Sequence, residues 1–229
     1  MINLLSQTFF MGIVIGLIIF LWACLKKTLK TYNILLLSIM GWLCLTGVLS
    51  INGFFNNFNT IPPRIVVVIL PMILLLIYVA ISSKILTITR CIPQTWLINI
   101  QAFRIGIELL FVVLAGQHMI PEIMTWDGRN FDVLVGISAP FIAYFCFIKR
   151  IWNRNIALVW NIISMLLLLN VFTHGLLSAP TPFQLFFTDP PNTFVAEFPY
   201  IWLPSFIVPF AFCCHIISIR KYLQDSKNQ

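Results

Sequence analysis

One stretch of this 229-residue chain places charged and amide side chains where they are costly. Residues 95–117 are long and apolar enough to cross a bilayer, yet they contain Arg104 and Glu108, four positions apart. Gln94, Gln101 and Glu108 recur every seven residues, a spacing that returns to one helical face after two turns, and Arg104 falls in the same arc. Side chains four apart on a helix meet across one turn, so Arg104 and Glu108 are expected to pair. An arginine at the centre of a membrane helix costs about 2.5–3.5 kcal/mol on insertion scales. Such groups face the bundle interior or a water-filled cavity. The chemistry open to this set is ligand binding or proton exchange, and its structural alternative is a buried ion pair that pins the helix.

Further polar residues interrupt neighbouring apolar runs. Asp132 opens the run 131–148, and Asn170 and His174 share a face of 156–178. Ser205 lies in 200–219 among Pro199, Pro204 and Pro209. Each interior proline removes a backbone donor and frees a carbonyl. Arg104, Glu108, Gln101, Asp132, Asn170, His174 and Ser205 are therefore expected to line one polar cavity around the fourth apolar run. Asn161, half a turn from Asn170, is expected to pack separately. His118 and His174 are both expected on the outer side but His215 near the inner end of its run, which argues against a shared metal. The six cysteines read as small buried hydrophobes. No metal or other cofactor is expected. The chain has no Gly-x-Ser-x-Gly elbow, no His-Glu-x-x-His pair and no phosphate-binding glycine loop, so no catalytic residue is assigned.

The elements that must position these residues follow from composition. The chain is 60% hydrophobic and only 9% charged, with a mean hydropathy of +0.97. A soluble domain carries about 25% charged residues, so a water-compatible surface cannot be built. Seven runs reach the ~20 apolar residues a membrane helix needs. They are 7–25, 33–52, 64–86, 95–117, 131–148, 156–178 and 200–219. The expected fold is all-α, a single seven-helix transmembrane domain over 1–229.

The basic residues orient it. With the N-terminus outside, the inner segments hold Lys26, Lys27 and Lys30; Lys84 and Arg90; Lys149, Arg150 and Arg154; and Arg220, Lys221 and Lys227. Glu122, Asp127, Asp132, Asp189 and Glu197 fall outside. With Asp225 also inside and Arg64 and Arg129 also outside, the net charge of +7 divides into +10 inside and −3 outside around a neutral Arg104–Glu108 pair. N-out and C-in is the expected topology. A basic balance of this origin needs an anionic leaflet as its partner and no nucleic acid.

Offsetting the chain by 122 residues matches Cys24 with Cys146, Lys27 with Lys149, Asn33 with Asn155 and Gly53 with Gly175. A longer outer loop then brings Pro63 onto Pro199 and Ser82 onto Ser218. This suggests two parallel units, 7–88 and 129–221, joined by the linker helix 95–117. Seven spans, N-out topology and a three-plus-one-plus-three plan resemble sugar transporters of the SWEET and PQ-loop type. That resemblance implies a substrate site between the halves. Pro93-Gln94 occurs once, however, where the PQ-loop pattern repeats it. The stretch Trp126-Asp127-Gly128-Arg129-Asn130-Phe131-Asp132, with Ala139-Pro140 after it, resembles small bacterial membrane proteins of unassigned function, which implies a bacterial inner-membrane source.

The expected function is transport or binding of a small-molecule ligand in the polar cavity. The alternatives are a membrane-embedded enzyme that modifies lipid, using His174, Asp132 and Glu108 for acid–base work, or a non-catalytic sensor or assembly subunit whose aromatic outer loops hold a partner.

Overall fold

A computed structural model describes residues 2–28 and 32–227, with side chains from Leu4 to Ser226. Lys30 and the side chain of Lys227 lie outside the described residues. The described chain is all-α, with no strand. Helices α1 (Ile2–Thr28) and α2 (Tyr32–Ile51) are followed by α3 (Val66–Ile81) and α4 (Ser83–Thr89). Next come α5 (Gln94–Gly116), α6 (Asp132–Ile148), α7 (Arg154–Leu177) and α8 (Leu203–Ser226). Five of these, α1, α2, α5, α7 and α8, are long and apolar enough to cross a membrane. Counting α3 and α4 as one span bent by 78° makes six, and α6 is a shorter apolar helix.

Unlike the helices of a soluble protein, these present large apolar side chains on their outer faces. On α2 the buried positions are Leu43, Thr46, Gly47 and Ser50, whereas Leu37, Leu45, Val48 and Ile51 point outward. A helix apolar on its outer face is built for lipid, and the chain has the character of a membrane protein. The most enclosed element is α8, with 72% of its apolar stretch buried against 22–28% in α1, α2 and α7. It packs on α3, α5 and α7. The main core forms where Phe10 and Val14 of α1, Leu110 and Phe111 of α5, and Phe206 and Phe210 of α8 meet.

Local chemistry sets the shape of α8. Pro209 has no N–H to offer the carbonyl of Ser205, and the preceding turn, Leu203–Ile207, is π-helical. The freed Ser205 carbonyl accepts instead from Trp42 Nε1 of α2 at 3.1 Å. In return, Trp202 Nε1 donates to the Leu43 carbonyl at 3.0 Å. These two indoles tie α2 to the start of α8. At its other end, Arg220 Nη1 donates to the carbonyls of Val79 and Ser82, and Lys221 Nζ to those of Thr89, Arg90 and Ile92. Two basic residues of α8 thus cap the C-termini of α3 and α4, where a positive charge is favoured.

Positions aligned by the 122-residue offset and its extension differ in local structure. Ser82 is extended at the α3–α4 break, whereas Ser218 lies inside α8. Gly53 adopts a left-handed turn at φ +69°, whereas Gly175 is helical.

The segment 179–199 folds over one end of the bundle. Asn192 Nδ2 donates to the Gly175 carbonyl at 2.6 Å, and Phe194 is buried with its ring against Phe111 and Tyr200. The aromatic residues of the loops between helices divide: Phe55 and Phe194 are core, while Trp126, Phe183 and Phe187 are exposed.

Candidate functional site

Gln94 and Gln101 lie seven residues apart on α5, as do Ala211 and Ser218 on α8. Gln94 Nε2 donates to the Ser218 carbonyl at 2.9 Å, and Gln101 Nε2 to the Ala211 carbonyl at 3.2 Å. The glutamine spacing therefore registers two antiparallel helices against each other. Gln101 is fully buried and its Oε1 has no partner.

Within that register Arg104, 2% exposed, reaches two other helices. Its Nη1 donates to Asp132 Oδ1 on α6 at 3.1 Å, the one ion pair among the described residues. Its Nη2 lies 3.2 Å from His215 Nε2 on α8. A guanidinium only donates, so this imidazole nitrogen accepts and His215 carries its proton on Nδ1. Nδ1 faces Asn161 Oδ1 on α7 at 2.8 Å. Asn161 Nδ2 donates to the Ala157 carbonyl and to Ser218 Oγ, whose hydroxyl donates to Gln94 Oε1 at 2.8 Å. Every side-chain bond from Arg104 to Gln94 runs donor to acceptor in one direction. Trp160 covers the His215 ring, with centroids 5.5 Å apart.

The other branch runs through the loop before α6. Asn130 is fully buried; its Oδ1 accepts from the Asp132 backbone N–H at 2.9 Å, and its Nδ2 donates to Glu108 Oε1 at 2.7 Å. Arg104 and Glu108 are thus not bonded to each other as the four-residue spacing predicts. Arg104 takes Asp132, and Glu108 takes Asn130. Two glycines permit this. A Cβ on Gly128 would stand 2.4 Å from the Glu122 carbonyl oxygen, so only glycine closes the loop that presents Asn130. A Cβ on Gly136 would stand 2.8 Å from Ile105 Cγ1, so its absence lets α6 approach α5 beside Arg104.

Arg104, Glu108 and Asp132 border a cavity of about 40 Å³ whose remaining wall is apolar, including Phe111, Leu168, Val171, Leu203 and Ile207. That volume has room for a few water molecules. Glu108 Oε2 and Arg104 Nε are buried without a protein partner. Of the seven residues expected to share a cavity, these three do. Gln101 belongs to the α5–α8 seam. Ser205 is buried, with its hydroxyl unpartnered and its carbonyl held by Trp42. Asn170 is half-buried and donates to the Arg129 carbonyl at 2.7 Å. His174 stacks on Phe186 at 5.0 Å and bonds the Asn170 carbonyl through Nδ1. The last two form a separate contact, so His174 is not assembled with Asp132 and Glu108.

Sequence reasoning missed Asn130, Asn161, His215 and Ser218. Asn130 carried a signal, because it sits inside the polar stretch 126–132 singled out for its composition. Asn161 and His215 are single polar residues on two different helices, and only the packing shows that they meet. All six cysteines are free, and no group of three or more His, Cys, Asp or Glu side chains among the described residues is arranged to hold a metal.

Residues 61–223 match the family described as Domain of unknown function (DUF8737). The chain belongs to this family. No curated protein and no solved structure matches it. Nothing in these comparisons supports the likeness to SWEET and PQ-loop transporters or a bacterial source. The part matched to DUF8737 takes in every residue of the network, from Gln94 to Ser218, while α1 and α2 precede it.

Proposed function

We propose that this DUF8737 protein is a seven-span, N-out and C-in protein of the cell membrane that carries a small solute. Arg104, Glu108 and Asp132 form the heart of its binding site, here in a closed state. One observation carries the reading. A buried polar atom without a partner costs roughly 1–3 kcal/mol, and more where the group is charged. Here Glu108 Oε2 and Arg104 Nε are left vacant beside a cavity with room for water. Ionisable groups kept in such a place inside a membrane protein mark a substrate or ion path.

The cavity is too small for a sugar or an amino acid, so a solute enters when the helices part. The π-helical turn of α8 is suited to that movement, because Leu203 and Ile207 line the cavity and such turns are frequent at functional sites. The internal repeat is not needed for this reading. The bilayer is the one partner it requires.

Purified protein in sealed vesicles, offered a panel of labelled small neutral, cationic and anionic solutes, is expected to give flux of at least one above that of empty vesicles. Glu108→Gln and Arg104→Gln, reconstituted to the same density, are expected to return it to the empty-vesicle level. Wild-type vesicles that behave as empty ones across the panel overturn the reading.

A further inference from the structure

The central cavity holds one cationic side chain and two carboxyl groups, and the three are unequally served. Arg104 gives one nitrogen to Asp132 and another to His215. Glu108 receives a single bond, from Asn130 to Oε1, and its Oε2 is vacant. The groups facing Glu108 can be named element by element. They are Arg104 on its own helix, Asp132 on α6 and Asn130 on the preceding loop. At the cavity α7 presents Leu168 and Val171, and α8 presents apolar side chains such as Leu203 and Ile207. His215 turns its ring nitrogens to Arg104 and Asn161. Against α5, α1 places Phe9 and Ile13 at Gly106.

A site with one fixed positive charge in apolar surroundings is neutral only when one of two carboxyl groups carries a proton. Asp132 holds the ion pair, so the proton falls to Glu108, on the oxygen that has no donor. We propose that Glu108 is a proton-binding site, that its Oε2–H faces the cavity, and that the proton is the ion coupled to transport. This rests on the carrier reading above for the coupling, though the proton site itself does not require it. On release the Oε2–H bond breaks, its electron pair stays on the carboxylate, and the proton leaves on a water molecule of the cavity. The site is then left one negative charge in excess, which favours opening to water or uptake of a cation. Return of the proton from water restores the closed, neutral site. The donor chain from Arg104 to Gln94 offers no way out, since it starts at a guanidinium that does not deprotonate and passes through an amide.

Infrared spectra of the full-length protein in lipid vesicles at neutral pH test the proposal. A carboxylic-acid carbonyl band that shifts in heavy water is expected. It should shift again in protein grown with carboxyl-13C glutamate, stay unmoved with carboxyl-13C aspartate, and vanish in Glu108→Gln. A wild-type spectrum with no such band, or a band that moves with aspartate labelling, overturns the proposal. Should Glu108→Gln fail to fold, labelling of the wild-type chain alone decides between the two carboxyls. The band without any solute flux upholds the proton site and sinks the carrier. Flux without the band does the reverse.

Discussion

Arg104 is the residue on which the interior turns, since its guanidinium joins α5 to α6 through Asp132 and to α8 through His215. Removing one partner of a buried ion pair leaves the other charge uncompensated, at a cost of about 3–5 kcal/mol, whereas replacing both by apolar groups is often close to neutral. Arg104→Leu and Asp132→Leu are each expected to lower the unfolding midpoint in detergent sharply. The double variant should be less destabilised than either single one, a coupling that a double-mutant cycle measures directly. Strictly additive losses would mean that the pair contributes nothing as a pair. The existence of a costly polar set on the fourth apolar run was legible from residue type and spacing alone. Its partners were not. Position in the chain brings Glu108 nearest to Arg104, but a side chain on α6 with a loop asparagine behind it makes the better geometry, and only packing can rank the two. Depth misled in the same way for His215, which the α5–α8 register sets opposite Leu97 and which the long Arg104 side chain still reaches.

At the scale of elements, the site exists because α5 and α6 come close, and Gly136 is where they touch. A Cβ there would stand 2.8 Å from Ile105 Cγ1 and 3.0 Å from the Ile105 backbone nitrogen. Overpacking of this kind typically costs about 1–3 kcal/mol. Gly136→Ala is therefore expected to lower the unfolding midpoint, and Ile105→Ala in the same chain to recover part of the loss by removing the closer contact. Gly12→Ala on α1, where a Cβ would meet nothing within 4 Å, should leave the midpoint unchanged or raise it. Equal effects at Gly136 and Gly12 would show that close approach is not what the glycine provides. The long helices were legible because 20 apolar residues have few other uses, and α1, α2, α5, α7 and α8 follow the expected runs closely. The break between α3 and α4 was not. The run 64–86 reads as one uninterrupted span, and nothing in Ser82 and Ser83 announces a 78° bend. The bend depends on Arg220 and Lys221, which reach back more than a hundred residues along the chain to cap both pieces.

For the whole molecule, parity of the spans decides the topology. Five long helices with α3–α4 as a sixth span would leave both termini on one side of the membrane. The proposed N-out and C-in topology places them on opposite sides, which requires α6 to cross as well. At 1.5 Å per residue α6 is about 25 Å long, near the lower limit for a ~30 Å hydrocarbon layer. Its sequence still favours crossing. Asp132 at its first turn is neutralised by Arg104, and Lys149 and Arg150 follow its last turn immediately. A helix that dipped in and returned would put those two cations on the side of Glu122 and Asp127 and undo the charge asymmetry that orients the rest. Single cysteines in a background freed of the six native ones separate the alternatives. Introduced at Asn57 and Asp127, both exposed, they are expected to react with an impermeant maleimide on intact cells. At Arg150 and Gln224, also exposed, they should react only after permeabilisation. Labelling of positions 127 and 150 from the same side would mean that α6 does not cross. The Arg104–Asp132 pair would then lie at the foot of a re-entrant hairpin, and the site would have to be approached from one face alone.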